Sequence, residues 1–145
     1  FKKDANTSDR GNVNKISFGF WEQFSKDYSV SWNYNKESNT YKRVNGGSPH
    51  LDFNSKKQLE FKTIVVVFAD ETPANDGYPG GHLLYDVVGD GDGLLFQDGK
   101  AQKISWEKQE EEDTMMFVDK GGEEVELNAG KIFIEILPIG NDVKY

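Results

Sequence analysis

The sequence contains no cysteine, and this absence excludes disulfide bonds, thiolate metal ligands and cysteine nucleophiles. It has only two histidines, His50 and His82, and a zinc site would need both of them together with a carboxylate from a distant segment. The longest apolar run, Ile64–Ala69, has the length of a strand and falls far short of the ~20 residues of a membrane span. We therefore expect no metal ion, no cofactor and no membrane-spanning segment in this chain.

Basic residues are also scarce relative to acidic ones. The chain has 17 Lys and Arg against 25 Asp and Glu, which gives a net charge of −8. An electrostatic field of one negative sign disfavours nucleic acid and anionic lipid, because both are bound by cationic side chains that displace counterions. We accordingly expect no nucleic-acid partner.

What the chain does contain is typical of a β-rich domain. Aromatic residues make up 13% of it, all hydrophobic types together 36%, and there are 15 glycines for turns. Its 145 residues suffice for one domain with a core. Because it begins at Phe1 and not at Met, we expect a processed product or an excised domain. Residues 1–14 are polar and are predicted to be a linker or disordered arm, followed by a single β-rich domain over residues 15–145.

Alternating apolar and polar residues predict short strands along most of the chain. The nearly continuous apolar stretch Phe61–Ala69 predicts a central strand covered on both faces. Residues 21–27 are ambiguous and could hold one helical turn, and Asp70 to Gly81 is predicted to be a long surface loop with a binding role or mobility. The pattern predicts a mainly β fold of about eight strands joined by hairpins, with little helix: an antiparallel sandwich or open barrel. A β-rich α+β fold is the second possibility.

The segment from Gly93 to Trp106 is predicted to be a β-hairpin that turns at Asp98-Gly99. A two-residue turn would pair Phe96 with Ala101. A three-residue loop would pair Phe96 with Lys100 and place Leu94, Phe96, Ile104 and Trp106 on one face. Because a slip of one residue exchanges the two faces, we predict the second register, which gathers the apolar side chains together.

Two segments carry residue types used in catalysis or metal binding. Ser48-Pro49-His50-Leu51-Asp52 places a hydroxyl, an imidazole and a carboxylate close together, but no nucleophile elbow accompanies them, and such residues commonly tie loops to the backbone. The acids Asp86, Asp90 and Asp92 lie beside three glycines, but without the spacing of a calcium loop. We interpret the first segment as a structural loop and the second as a glycine-rich turn.

Aromatic residues and an arginine come together if residues 35–39 close a hairpin. Tyr34 would then lie near Tyr41, and Trp32 near Arg43. One interpretation is a surface of rings and guanidinium that binds a sugar or peptide; the other is a set of core aromatics with a stacked arginine. The residues themselves favour the core interpretation, because rings are readily buried on a half-covered sheet.

Several short motifs, in their order and spacing, are together similar to one family. They are Val30-x-Trp32-x-Tyr34, Tyr41-x-Arg43, Gly47-x-Pro49-His50-x-Asp52, Val65-Val66-Val67, Gly93-x-x-Phe96-x-Asp98-Gly99-Lys100, Trp106 and Gly130-Lys131-x-x-x-Glu135. This pattern resembles the C-terminal domain of the YerB-like bacterial lipoproteins over about residues 14–138. The resemblance implies that the chain is the C-terminal domain of a longer protein, held outside the cytoplasmic membrane by an N-terminal lipid that this chain does not carry.

The resemblance supplies a candidate site but no catalytic residues, since the family has no established molecular function. Tyr41, Arg43, His50 and Asp52 belong to the matched pattern, and with Trp32 and Tyr34 they form our predicted ligand-binding set.

We expect a non-catalytic, extracytoplasmic binding or scaffolding module of a cell-envelope lipoprotein. Its expected partners are an envelope protein or glycan and the absent N-terminal domain of the same protein, with membrane contact only through the lipid. The alternative is a glycan or peptidoglycan hydrolase that uses carboxylates with His50.

Overall fold

The computed structural model describes residues 1–20 and 25–145, and in these residues the fold is mainly β. One helix of a single turn, α1 (Ser25–Tyr28), and a 3₁₀ turn (Thr7–Asp9) are the helical elements of this part of the chain. The strands are β1 (Lys15–Gly19), β2 (Ser29–Asn35), β3 (Thr40–Asn45), β4 (Ser48–Pro49), β5 (Glu60–Phe61), β6 (Thr63–Pro73), β7 (Leu83–Asp86), β8 (Gly89–Gln97), β9 (Lys100–Lys108), β10 (Met116–Val118) and β11 (Ile132–Pro138).

Within the described residues, these strands form two sheets, and neither closes into a barrel. The first has the order β1-β2-β3, and the short strands β4 and β5 both pair with β3. The second has the order β10-β9-β8-β6-β11, and β7 pairs with the far end of β6. All pairs are antiparallel except β11 with β6, because the chain crosses from β10 to the opposite edge before it enters β11. The prediction of a mainly β fold, an antiparallel sandwich or open barrel, is confirmed, and the arrangement is that of a sandwich, with eleven strands in the described residues where about eight were expected.

One hydrophobic core lies between the two sheets. Alternation along β1 and β2 directs Ile16, Phe18, Val30 and Trp32 toward the second sheet, as the sequence pattern predicts. The second sheet contributes buried side chains from three strands: Ile64 and Val66, Leu94 and Phe96, and Leu137.

The opposite face of the second sheet is covered too. Val65 and Val67 of β6 pack there with Leu95, Ile104 and Trp106. The residues that cover them come mainly from β10 and the chain on either side of it: Met115, Phe117, Val125 and Leu127. The prediction of a central strand buried on both faces is therefore confirmed for β6.

The β8–β9 hairpin adopts the register that the sequence argument rejected. Phe96 pairs with Ala101, and Asp98 and Gly99 alone form the turn with φ of 53° and 65°. Positive φ at both turn residues is the backbone conformation of a type I′ hairpin turn. The predicted register was wrong because it assumed one apolar face, whereas Leu94 and Phe96 enter the core between the sheets and Ile104 and Trp106 enter the second core.

Two other predicted segments have defined positions, and a third is described only in part. The N-terminal residues lie against the turn of the β8–β9 hairpin, where the backbone N–H groups of Gly11 and Val13 donate to the carbonyls of Asp98 and Gly99. Of the ambiguous residues 21–27, residues 21–24 lie outside the described residues. The predicted loop Asp70 to Gly81 is partly strand, because β6 continues through Pro73 and pairs with β7. No helix in the described residues is long and apolar enough to cross a membrane.

Candidate functional site

The six residues of the predicted ligand-binding set are divided between two buried networks and one turn. The β2–β3 hairpin pairs Trp32 with Arg43 and Tyr34 with Tyr41, as predicted. Trp32 and Tyr41 are 0% exposed, so the two rings face the core and offer no surface to a ligand. The six residues therefore do not line one concavity.

The first network surrounds Glu135 on β11 and is called the Glu135 network. Arg43 Nε donates to Glu135 Oε1 at 2.9 Å, and Trp32 Nε1 donates to the same oxygen at 3.0 Å. The guanidinium carbon also lies 5.7 Å from the Trp32 ring centre and 5.4 Å from that of Phe133. Both charged side chains are less than one tenth exposed, and removing one partner of such a buried pair typically costs ~3–5 kcal/mol.

His50 connects the Glu135 network to solvent. Arg43 Nη1 lies 2.6 Å from His50 Nδ1, and because a guanidinium only donates, Nδ1 accepts and the neutral ring carries its proton on Nε2. Burial and the Arg43 guanidinium lower the pKa of His50 below its usual value, against the opposing effect of Glu135. His50 is thus neutral at neutral pH and half-buried at the rim of the network.

The second network surrounds Asp98 in the hairpin turn and is called the Asp98 network. Its Oδ1 accepts hydrogen bonds at 2.7 Å from both Asn39 Nδ2 and Asn128 Nδ2, and its Oδ2 lies 2.9 Å from Lys2 Nζ. Burial alone would raise the pKa of Asp98, but these bonds and one from the Ala5 N–H outweigh burial and lower the pKa to about 2. The network therefore holds a buried, ionised carboxylate.

Tyr34 and Tyr41 belong to the Asp98 network. The Tyr34 hydroxyl donates to Asn39 Oδ1 at 2.7 Å, and the Tyr41 hydroxyl accepts from the Gly99 N–H at 3.1 Å. Tyr41 thus bonds to the β8–β9 turn directly, and Tyr34 is connected to that turn through Asn39. Burial raises the pKa of both phenols. Their contacts support the interpretation of these residues as core aromatics.

Asp52 joins neither network. Its Oδ1 accepts a 2.7 Å hydrogen bond from the Ser55 N–H, and this bond lowers the pKa of Asp52. The carboxylate closes the turn that follows β4, as the interpretation of a structural loop expected of Asp52. Ser48 instead lies in β4, and the His50 ring contacts the Arg43 side chain.

Glu135 and Asp98 were not predicted from the sequence as the centres of these networks. A signal for Glu135 was present: it lies between Phe133 and Leu137 on the inward face of an alternating strand, where a carboxylate requires a buried partner. No local pattern pointed to Asp98, because Lys2, Asn39 and Asn128 come from distant parts of the chain.

Residues 70–86 form an exposed two-stranded ribbon that we call the arm. The pairing of β6 with β8 ends at Val67 and that with β11 ends at Ala69, so beyond this point β6 pairs only with β7. The arm carries three exposed apolar side chains, Tyr78, Leu83 and Leu84.

The tip of the arm is ordered by its own contacts. The Ala74 N–H donates to the His82 carbonyl at 2.8 Å and closes the loop. The His82 ring stacks on Tyr78 with centroids 4.2 Å apart, and its Nδ1 lies 2.6 Å from Asp76 Oδ2. An aromatic side chain held in this way loses little conformational entropy when it contacts a partner.

Comparisons with known proteins agree with this architecture. A β-sandwich with buried polar networks identifies a class of fold, but it does not by itself indicate a catalytic activity. The sequence of residues 21–134 matches the family described as the C-terminal domain of a protein of unknown function, DUF3048, and the chain belongs to this family.

A solved structure shares the fold. The crystal structure of the YerB protein from Bacillus subtilis superposes with a TM-score of 0.75 at 21% sequence identity. The match covers 93% of this chain but 45% of YerB, so the chain spans less than half the length of that protein. No curated protein matches the sequence. The predicted resemblance to the YerB-like family is thus confirmed.

Proposed function

We propose that this domain is a non-catalytic binding or scaffolding module, and that it contacts its partner through the arm. The observation that carries the proposal is a two-stranded ribbon beyond the sheet with Tyr78, Leu83 and Leu84 exposed. A ribbon of two strands is marginally stable alone, and exposed apolar side chains on it add no stability to the free domain. Tyrosine is enriched among the residues that dominate binding energy at interfaces.

The proposed setting is outside the cytoplasmic membrane, in a lipoprotein of the bacterial envelope, and the partner is an envelope protein or glycan. The YerB-like resemblance supports this setting. The domain of a lipid-anchored protein needs no spanning helix of its own, and its function is to place a binding surface at the envelope.

The hydrolase alternative has weaker support from the geometry. A glycosidase needs two carboxyl groups about 5–10 Å apart on either side of a cleft. Both Glu135 oxygens bind Arg43, and an Asp52 oxygen is occupied by its own turn. His50 directs its Nδ1 lone pair to Arg43 and not to a hydroxyl.

The test is capture from a detergent-solubilised envelope fraction of the bacterium that encodes the protein. We expect the immobilised chain to enrich an envelope component, and the double variant Tyr78→Ala/Leu84→Ser to lose it. Phe53→Ala is the matched control, because Phe53 is an exposed ring on a different turn. Equal capture by the arm variant, or release of soluble fragments from purified peptidoglycan by the domain, would overturn the proposal.

A further inference from the structure

The outer edge of β7 is an unpaired strand edge. Among the described residues, β7 pairs with β6 alone, and its other side has no strand partner. Edges of this kind are commonly blocked by proline, lysine or a bulge, and the sequence of β7, Leu83-Leu84-Tyr85-Asp86, contains neither proline nor lysine. The strand therefore remains open to the addition of another.

The register identifies which backbone groups face outward. The Ala74 N–H donates to the His82 carbonyl, so these two residues form a hydrogen-bonded pair at the end of the ribbon. Hydrogen-bonded pairs alternate along an antiparallel ladder. The backbone N–H and C=O groups of Leu84 and Asp86 therefore point toward β6, and those of Leu83 and Tyr85 point outward. The opposite edge of the arm is less suited, because Pro73 has no N–H to donate.

Charge identifies the kind of strand that fits. No Lys or Arg occurs between Lys62 and Lys100. Six acids lie in and next to the arm: Asp70, Glu71, Asp76, Asp86, Asp90 and Asp92. Asp70 and Asp86 are directly opposite each other across the ladder, where like charges repel unless a cationic group comes near.

We propose that the β7 edge accepts an added strand from a basic, extended segment of a partner protein. The added backbone would bond to Leu83 and Tyr85. Its lysine or arginine side chains would lie on the face that carries Asp70 and Asp86, and its apolar side chains would lie on the opposite face, beside Leu83 and Tyr85. A second copy of this chain is disfavoured, because it would bring one acidic arm against another. The inference rests on the proposed function and names the partner chemistry of the same arm.

The test uses NMR titration of the chain with a short synthetic peptide that alternates lysine and valine. We expect shift changes and slowed amide exchange at Leu83 and Tyr85, and affinity that falls about tenfold or more as salt is raised, because the charges are exposed. A peptide alternating glutamate and valine should not bind. The lysine peptide with N-methylated valines should lose binding, since it can no longer form a ladder.

Variants separate the backbone from the charges. Leu83→Pro removes an outward N–H and should abolish peptide binding, whereas Leu83→Ala keeps that N–H and should retain most of it. Asp70→Asn/Asp86→Asn should weaken binding about tenfold. Asp27→Asn/Glu37→Gln makes the same change in net charge at exposed positions outside the arm and should leave binding unchanged.

Each contrary outcome is distinct. No binding of the lysine peptide, binding that survives Leu83→Pro, or dimerisation of the chain through β7 would overturn the inference. If the lysine peptide fails but the Tyr78→Ala/Leu84→Ser variant still loses the envelope component, the arm binds by side chains alone, and only the proposed function stands.

Discussion

At the residue scale, two carboxylates organise the interior. Glu135 joins Arg43 and Trp32 across the two sheets, and Asp98 joins three distant segments through Lys2, Asn39 and Asn128. Each is buried with its oxygens bonded, which is the condition under which an ionised carboxylate is tolerated in a protein interior. Both are therefore structural, and the sequence residues once considered for ligand binding mainly support them.

The Asp98 network predicts a specific acid sensitivity. The pKa of the Asp98 carboxyl is lowered from 3.8 to about 2 in the folded state. The resulting stabilisation of the fold is therefore complete at pH values above the pKa of the unfolded chain, and it is lost as the pH falls from about 5 toward 2. We expect this residue to account for about 2 kcal/mol of the free energy of unfolding lost over that range. Urea unfolding at a series of pH values measures the loss.

The control for this prediction is a pair of conservative variants. Asp98→Asn removes the ionisable group and should flatten that part of the pH dependence. Asp9→Asn changes an exposed acid near the N-terminus and should leave the dependence as in the wild type. An equally steep dependence in Asp98→Asn would contradict the role assigned to Asp98.

At the element scale, the strands around β6 separate where the arm begins. Beyond Val67, β6 no longer pairs with β8, and the Trp106 indole donates to the Phe68 carbonyl at 3.0 Å in place of a backbone group. Gly91 allows this arrangement, because a Cβ there would lie 2.6 Å from Trp106 Nε1 and 3.0 Å from the Phe68 oxygen. Because Gly91 of β8 has no side chain, the Trp106 indole can lie between β8 and the Phe68 carbonyl of β6.

We predict that Gly91→Ala destabilises the domain by about 1–3 kcal/mol, as overpacking of a filled site does. The displaced Trp106 should also change its fluorescence. Gly19→Ala is the matched control in another strand, because a Cβ at Gly19 meets no atom of residues 1–20 and 25–145 within 4 Å. Thermal unfolding of the three proteins gives the comparison, and an unchanged melting temperature for Gly91→Ala would refute the packing argument.

At the scale of the whole molecule, stability is expected to be unequal between the body and the arm. β6 is paired on both sides from Ile64 to Val67 and buried on both faces. In the arm, by contrast, β7 pairs with β6 alone among the described residues, and Tyr78 and Leu83 are exposed. Segments with few buried contacts open locally, and the free energy of this opening is smaller than the free energy of global unfolding.

Amide hydrogen exchange tests this inequality. We expect the amides of Val65 and Val66 to exchange at the rate of global unfolding, and the amide of Leu84 to exchange at least about a hundredfold faster through local opening of the arm. The amide of Leu95 in β8 provides an internal reference for the body. Equal rates for Leu84 and Val66 would show that the arm unfolds only with the core.

Short-range patterns in the chain were enough to predict the local features. Alternation of side chains marked most strands, the apolar run marked β6 as central, and the turn residues located the hairpins, because these patterns depend on neighbours close in the chain. The order and spacing of short motifs also indicated the family. This resemblance identified the domain but implied no catalytic activity for it.

The remaining features depend on contacts between segments that are distant in the chain. Leu94 and Leu95 are both apolar, so alternation could not say which faces which core, and the β8–β9 register was settled by the layers on both sides of the sheet. Glu135 and Asp98 acquired their roles from residues far away in sequence. The physical reason is that burial of charge and cover of a second sheet face depend on segments distant in the chain, which no local pattern encodes.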